Sequence, residues 1–260
     1  MLKAILFDLD GTLIDSIPLI RLSFEHTFKH LGLPWGQGEV LNTIGLPLRD
    51  VAKHYAPENY EEFLAVYAEF QVKTQEKLLK PFPEAKRTLN HIQEKGYRTG
   101  VVTSKRRKAT RESLSLTGLD KYLEVVVAVE DAGRPKPNPD SILKALEQLD
   151  IPPAKGVYIG DSIYDIITGK NAGVATIGVT WGIAAKDDLK KQQPDFLVDS
   201  WKELRSAIGV RLGNFFCRCK GDGSWRISDL LRDGSFGRPR GRFFWQVTTY
   251  RGDTIPLAGQ

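Results

Sequence analysis

The chain has 260 residues, 41% hydrophobic and 27% charged, which is the balance of a globular protein with enough apolar side chains for a buried core. No run of about 20 apolar residues and no secretory signal is found, so the sequence argues against a membrane protein. The only cysteines, Cys217 and Cys219, form no disulfide framework, which predicts a reducing cytoplasm. The net charge of +5 resides in residues 211–260, which hold eight arginines and one lysine against four aspartates.

Short apolar runs of the kind found in strands buried on both faces alternate with helical patterns. This alternation predicts parallel strands joined by right-handed crossovers, hence a doubly wound α/β sheet. Ligands of such sheets bind beyond the carboxyl ends of the strands. The predicted strands are 3–7, 98–103, 124–129, 156–159, 175–179 and 196–198, and the helices between them are 105–117, 139–149 and 162–171.

About seventy residues separate the first predicted strand from the second. They contain helical patterns at 17–31, 48–54 and 59–79, and aromatic residues recur at helical spacing in the last of these. This spacing favours a packed aromatic core over a recognition surface. We therefore predict a small helical cap at 16–82, inserted by linkers near 15–18 and 80–83 into an α/β core formed by 1–15 and 83–208.

Four polar stretches follow predicted strands. A single such stretch is more often a turn, a helix cap or a solvated loop, because Asp, Gly, Ser and Thr are ordinary turn and cap residues. Their joint position at strand ends predicts one shared site. The stretches are DLDGT (8–12), VVTSK (101–105), RPKPNP (134–139) and IGDSIYD (159–165).

The acidic residues of these stretches predict a metal site. Carboxylates brought to one point repel and resist ionisation unless a cation lies among them. The side chains of Asp8 and Asp161, with the main-chain carbonyl of Asp10, offer the hard oxygen ligands that suit Mg²⁺. The histidines and cysteines form no zinc spacing. With Mg²⁺ bound, Asp8 could attack a phosphate ester and form an aspartyl-phosphate.

The remaining polar residues can be given roles in the same reaction. Asp10 can protonate the leaving oxygen and later activate water. Thr103, the backbone after it and Lys136 can bind the phosphoryl oxygens. Asp165, with Ser162 beside it, can orient Lys136 or a metal-bound water.

The motifs DLDGT, Thr103, Lys136 and GDSxxD (160–165) occur in the order found in the haloacid dehalogenase (HAD) superfamily of phosphohydrolases, which the sequence resembles over about residues 1–208. It is most similar to the helical-cap branch that contains phosphoglycolate phosphatases and a bacterial pyrophosphatase. The resemblance implies a Rossmann-like core, Mg²⁺ as cofactor, Asp8 as nucleophile, and a mobile cap that excludes water on closing. Dehalogenases lack the second aspartate, so Asp10 favours phosphate chemistry.

The substrate is predicted less directly. In the stretch 43–50, Gly45 suggests a specific loop and Arg49 could bind a carboxylate or a second phosphate. A small phosphorylated metabolite is expected, phosphoglycolate first, with pyrophosphatase and β-phosphoglucomutase-like mutase as alternatives, in a monomer or homodimer. The residues assigned to substrate binding are Gly11, Thr12, Ser104, Gly45 and Arg49.

Residues 211–260 match nothing in the resemblance. Their Arg excess and lack of Glu predict a poorly ordered basic extension, or translation of a shifted reading frame. Arginines interleaved with aromatics at 238–245 leave a further alternative from another class. This is a nucleic-acid-associated or catalytically inactive binding protein that uses the basic tail.

Overall fold

The computed structural model describes residues 1–211, which form eight strands and nine α-helices. The strands are β1 (Ala4–Phe7), β2 (Ile14–Asp15), β3 (Lys80–Pro81), β4 (Arg98–Val102), β5 (Val125–Val127), β6 (Gly156–Gly160), β7 (Ala175–Val179) and β8 (Phe196–Val198). The helices are α1 (Ile17–His30), α2 (Leu48–Tyr55), α3 (Tyr60–Leu78), α4 (Ala85–Glu94), α5 (Arg107–Thr117), α6 (Asp140–Leu149), α7 (Ile163–Asn171), α8 (Lys186–Lys191) and α9 (Trp201–Ser206).

Six strands pair in parallel in the order β5-β4-β1-β6-β7-β8, which confirms the predicted doubly wound sheet. The chain runs outward from β1 through β4 to β5, then returns to the other side of β1 and continues from β6 to β8. The change of direction therefore falls between β1 and β6. Ligand sites of open α/β sheets lie at such a switch point, beyond the carboxyl ends of the strands.

The central strand β1 is buried on both faces. Ile5 and Phe7 belong to an apolar cluster with α4, α5 and α9, whereas Ala4 and Leu6 belong to a second cluster with α6. This alternation follows from the two-residue period of a strand. Each fully buried large aliphatic or aromatic side chain contributes about 1.5–3 kcal/mol to stability, so β1 is firmly held and the residue after it has a fixed position.

Helices α1, α2 and α3 form a separate apolar cluster, and we call residues 16–82 the helical segment. Phe24 and Tyr67 lie at its centre with ring centroids 5.0 Å apart, and Phe63 is fully buried beside them. The aromatic spacing of α3 is thus explained by core packing, as predicted. The two ends of the segment meet where β2 pairs with β3 in antiparallel fashion.

Several elements were not predicted. The sequence prediction omitted α4, α8 and α9, whose sequences are short and mostly polar. It also omitted β2 and β3, whose two-residue strands exist only through pairing between distant parts of the chain. Within residues 1–211, no helix is long and apolar enough to cross a bilayer. The predicted basic extension lies outside the described residues, apart from Arg211.

Candidate active site

The first carboxylate of the site directly follows the central strand. The Asp8 backbone N–H donates to the Ile159 carbonyl (2.8 Å), so the ladder between β1 and β6 continues through this residue. The side chain is largely buried, and its Oδ1 accepts a hydrogen bond from Lys136 Nζ (2.7 Å). Within residues 1–211, no side-chain or loop hydrogen bond to Asp8 Oδ2 is found. That oxygen is therefore available for an attacking role.

The turn after β1 contacts Asp161. Gly11 has a φ of +80°, and a Cβ at this position would lie 2.2 Å from Asp161 Oδ2, so only glycine fits. Thr12 Oγ1 donates to Asp161 Oδ1 (2.9 Å), and the Ile183 N–H donates to Oδ2 (2.8 Å). Gly11 and Thr12 therefore support Asp161, and their assignment to substrate binding stays a prediction.

Lys136 lies between two carboxylates. Its Nζ is 2.7 Å from Asp8 Oδ1 and 2.7 Å from Asp165 Oδ1, and it lies 5.1 Å from the centre of the Tyr158 ring. The Tyr158 hydroxyl is 2.8 Å from the Val102 carbonyl oxygen and 3.1 Å from Asp165 Oδ1. Residues from two central strands and α7 thus fix the ammonium beside Asp8. The role of Tyr158 was not predicted, because its place within the predicted strand 156–159 indicates only an ordinary buried residue.

Asp165 also caps the helix that carries it. Its Oδ2 accepts hydrogen bonds from the backbone N–H (3.0 Å) and hydroxyl (2.7 Å) of Ser162, in a capping box at the start of α7. Both carboxylate oxygens of Asp165 are therefore occupied by hydrogen bonds. This arrangement supports a positioning role toward Lys136, and it makes Ser162 the residue that begins the helix.

The buried cluster carries more negative than positive charge. Carboxylate oxygens of Asp8, Asp161 and Asp165 lie within 4.8 Å of one another, with Lys136 as the buried ammonium between them. Burial, with repulsion from Asp165 and Asp161, raises the pKa of Asp8 well above its ordinary value although Lys136 opposes the shift. Burial and then Asp165 raise the pKa of Asp161 to about 7. Burial alone would lower the pKa of Lys136, but Asp165 and Asp8 outweigh it and raise that pKa.

These residues fit a hard divalent cation. The donor set consists of oxygens alone, which suits Mg²⁺ rather than zinc. An added cation would also offset the burial and the repulsion that raise the pKa values of Asp8 and Asp161. Each Asp165 oxygen accepts two hydrogen bonds, whereas each Asp161 oxygen accepts one. Asp8 and Asp161 are therefore the side chains best placed to hold the ion. A contribution from the Asp10 carbonyl stays a prediction.

Lys105 and Asp10 form a second ion pair at the site. Lys105 Nζ is 3.0 Å from Asp10 Oδ1 and 3.3 Å from Oδ2, and both side chains are mostly buried. The sequence analysis quoted Lys105 only as part of a stretch and assigned it no role. Its position directly after Thr103 and Ser104 at the end of β4 is the signal that could have identified it.

The site opens into a cavity of about 150 Å³ between the sheet and the helical segment. This size suits a small ligand, since pockets for drug-sized molecules are several times larger. Ser104 Oγ donates to the Gly45 carbonyl (2.6 Å), so the loop before α2 lies across the end of β4. The sheet side contributes Asp8, Asp10, Thr103, Ser104, Lys105 and Asp161, and the helical segment contributes Ile20, Phe24, Gly45, Leu46, Leu48 and Val51.

The structure does not bring Arg49 to the cavity. Its guanidinium is exposed and lies 5.8 Å from the centre of the Tyr60 ring. Leu48 and Val51 share the helix face that lines the cavity. Each helical residue is rotated by about 100° from the one before it, so Arg49 points away from that face. The predicted role of Arg49 in substrate binding is therefore not supported.

We expect Asp161→Asn to stabilise the metal-free protein. The folded pKa of about 7 exceeds the ordinary 3.8, so the native state holds the proton more tightly and stability falls as pH rises between these values. Asparagine removes this loss and can keep both hydrogen bonds, its Oδ1 accepting from Ile183 and its amide donating to Thr12. With EDTA at pH 8, urea unfolding should show a gain of roughly 2–4 kcal/mol that shrinks by pH 5. A variant less stable than the parent at pH 8 would contradict this reading.

Comparison with known proteins places the chain in a family. A family model described as haloacid dehalogenase-like hydrolase matches residues 5–179. A Caldanaerobacter subterraneus protein provisionally named pyrophosphatase PpaX is 40% identical and covers 80% of this chain and 96% of its own length. Pyrophosphatase PpaX of Halalkalibacterium halodurans is 36% identical, with 81% and 98% covered. A solved haloacid dehalogenase-like family hydrolase from Streptococcus pneumoniae is 25% identical, with a TM-score of 0.70 over 80% of this chain and 98% of that one.

Proposed function

The chain belongs to the haloacid dehalogenase-like hydrolases, and on that premise we propose that it is a Mg²⁺-dependent pyrophosphatase that acts through an aspartyl-phosphate at Asp8. The observation that carries the proposal is the position of Asp8. Its carboxylate lies beside Lys136, close to Asp161, and at the floor of the cavity that also contains Asp10. This combines a nucleophile, a cationic phosphate site and an acid in one small space.

The first half of the reaction is a transfer to the enzyme. Asp8 Oδ2 attacks one phosphorus of the substrate while the bond from that phosphorus to the bridging oxygen breaks. Asp10 donates a proton to the bridging oxygen, which leaves with the second phosphate. Lys136 and the Thr103 region hold the oxygens of the transferred group. Mg²⁺ bound by Asp8 and Asp161 would supply charge neutralisation between the carboxylate and the phosphate.

The second half returns the enzyme to its starting state. Asp10, now ionised, takes a proton from a water molecule that attacks the phosphorus of the aspartyl-phosphate. The bond between that phosphorus and the Asp8 oxygen breaks, and orthophosphate is released. The same carboxyl group thus serves as acid and then as base, which explains why the second aspartate is needed in addition to the nucleophile.

We propose pyrophosphate ahead of phosphoglycolate as the substrate. This reverses the order given by the sequence analysis. The relatives that this chain matches over most of their length are named as pyrophosphatases. The cavity supports a compact anion, since it is small and has Lys105 on its wall. Phosphoglycolate presents a carboxylate where pyrophosphate presents its second phosphate, so it remains the second candidate.

We assign the helical segment, residues 16–82, as a cap over a core formed by residues 1–15 and 83–208. The loop at Gly45 supports this assignment because it touches the core through Ser104 and approaches Ser162 closely. The paired strands β2 and β3 are the two connections on which such a cap would move. Closure of this segment would exclude water from the aspartyl-phosphate until the leaving group departs.

The proposal is tested by phosphate release from pyrophosphate, phosphoglycolate and glucose 1-phosphate. We expect Mg²⁺-dependent hydrolysis with the highest kcat/KM on pyrophosphate, and loss of activity with EDTA. A preference for phosphoglycolate would replace the substrate and keep the chemistry. Isomerisation of the sugar phosphate without net phosphate release would indicate a mutase. Failure to act on all three, with folded protein and Mg²⁺ present, would refute the proposal.

A further inference from the structure

A cationic side chain on the cavity wall defines a second anion subsite. We propose that Lys105 binds the leaving phosphate of the substrate and thereby selects diphosphates over phosphate esters with a neutral leaving group. The inference rests on the proposed function, because it assigns a position to the half of pyrophosphate that is not transferred. It makes Lys105 a specificity-determining residue.

The position of Lys105 relative to Asp10 gives the first argument. Lys105 Nζ lies 3.0–3.3 Å from both carboxylate oxygens of Asp10. An acid must approach the oxygen that it protonates to about 3 Å, so the leaving oxygen lies no more than about 6 Å from Nζ. The phosphate attached to that oxygen therefore comes within reach of the Lys105 side chain. A leaving group that carries no second phosphate would gain less from this ammonium.

Each cation near the cavity has a carboxylate partner, and Lys105 is the one whose partner is Asp10. Lys136 is held by Asp8 and Asp165, both at 2.7 Å, and serves the transferred phosphate. Arg106 lines the cavity edge, but its side chain is mostly exposed and its guanidinium lies 3.4 Å from a Glu130 oxygen. Among the described residues that line the cavity, Lys105 is thus the buried cation that faces the leaving group.

The cavity wall formed by the helical segment also favours a diphosphate. Most side chains that the helical segment presents here are apolar, among them Ile20, Phe24, Leu46 and Val51. The polar side chains of this segment that line the cavity are Thr43, Tyr67 and Gln71. A compact anion can pair with Lys105 without requiring further polar partners from this wall. Charge-assisted hydrogen bonds are also stronger than neutral ones, particularly where water is scarce. The subsite therefore favours a second phosphate.

The backbone holds Lys105 on a rigid part of the fold. Its N–H donates to Thr103 Oγ1 (3.2 Å), and its carbonyl accepts from the Val129 N–H (3.2 Å). The residue lies between the end of β4 and the start of α5. This links the proposed subsite to the strand end that carries Thr103, so the two phosphate positions keep a fixed separation.

The test compares pyrophosphate with p-nitrophenyl phosphate, whose leaving group is uncharged in the substrate. We would measure kcat/KM for the full chain, Lys105→Met, Lys105→Arg and Lys108→Met with Mg²⁺. Lys108 is the matched control, because it is a highly exposed lysine three residues along that does not line the cavity. Thermal unfolding of each variant reports whether the fold is retained.

Lys105→Met should lower kcat/KM on pyrophosphate by about 10- to 100-fold, the value of a charge-assisted hydrogen bond, with less than about a threefold change on p-nitrophenyl phosphate. Lys105→Arg should recover part of the loss, and Lys108→Met should change neither. Equal losses of the folded Lys105→Met variant on both substrates would overturn the inference, since Lys105 would then act through Asp10 alone. Wild-type protein that cleaves p-nitrophenyl phosphate but not pyrophosphate would instead overturn the proposed substrate, and this inference with it.

Discussion

Asp8→Asn is expected to abolish turnover, lowering kcat on every substrate by at least about 10⁴-fold. The amide is a poor nucleophile and cannot form the aspartyl-phosphate on which both halves of the reaction depend. The fold should survive, because the substitution removes one of three mutually repelling buried carboxylates and keeps the side-chain shape. Steady-state phosphate release, with urea unfolding of the same preparation, measures both effects.

A matched control separates the chemistry from the mere loss of a charge. Asp120 is exposed in the short turn Asp120–Tyr122 and is absent from the cavity wall. Asp120→Asn should therefore retain wild-type kcat and KM. Turnover by Asp8→Asn above about 1% of the wild-type rate would remove Asp8 from the mechanism, since removal of a covalent nucleophile leaves far less activity than this.

Asp10→Asn is expected to slow the first chemical step, and the slowing should be greater for a poor leaving group than for a good one. Transfer from pyrophosphate should slow by about 10²–10⁴-fold, because the bridging oxygen then departs without a proton. Transfer from p-nitrophenyl phosphate should slow much less, because p-nitrophenolate is stable as an anion. Rapid-mixing measurements of the first turnover give both rates free of the second step.

Asp50 provides the control for this experiment. It is an exposed aspartate in the first turn of α2, within the helical segment but not on the cavity wall. Asp50→Asn should leave both first-turnover rates unchanged. Equal slowing of the two substrates by Asp10→Asn would contradict the acid role and would indicate that Asp10 only positions neighbouring groups.

The sheet and its site could be predicted because their signals are local. The apolar run of β1 ends abruptly at Asp8, and each predicted strand of the sheet lies within two residues of the observed one. Parallel pairing then brings the strand ends to one edge without further information. The contacts of Lys136 with Asp8 and Asp165 follow the same logic, since all three residues lie at or after strand ends.

The features that escaped prediction depend on contacts between distant parts of the chain. Lys105 meets Asp10 only because β4 lies beside β1, and sequence spacing gives no measure of that distance. Gly11 is required by the closeness of Asp161, which lies far away in the sequence. Arg49 points away from the cavity because of the rotation along α2, and the spacing of the apolar Leu48 and Val51 indicates which face of the helix turns inward.

The most direct test of the central claim is to trap the phosphorylated enzyme. In Asp10→Asn, p-nitrophenyl phosphate should still transfer its phosphoryl group, but the base that activates water is missing, so the intermediate should accumulate. Mass spectrometry of the quenched protein should then show one added phosphoryl group, located on the peptide that contains Asp8, together with a burst of one p-nitrophenol per active site. Steady release without a burst, or a phosphoryl group on another residue, would contradict covalent catalysis by Asp8.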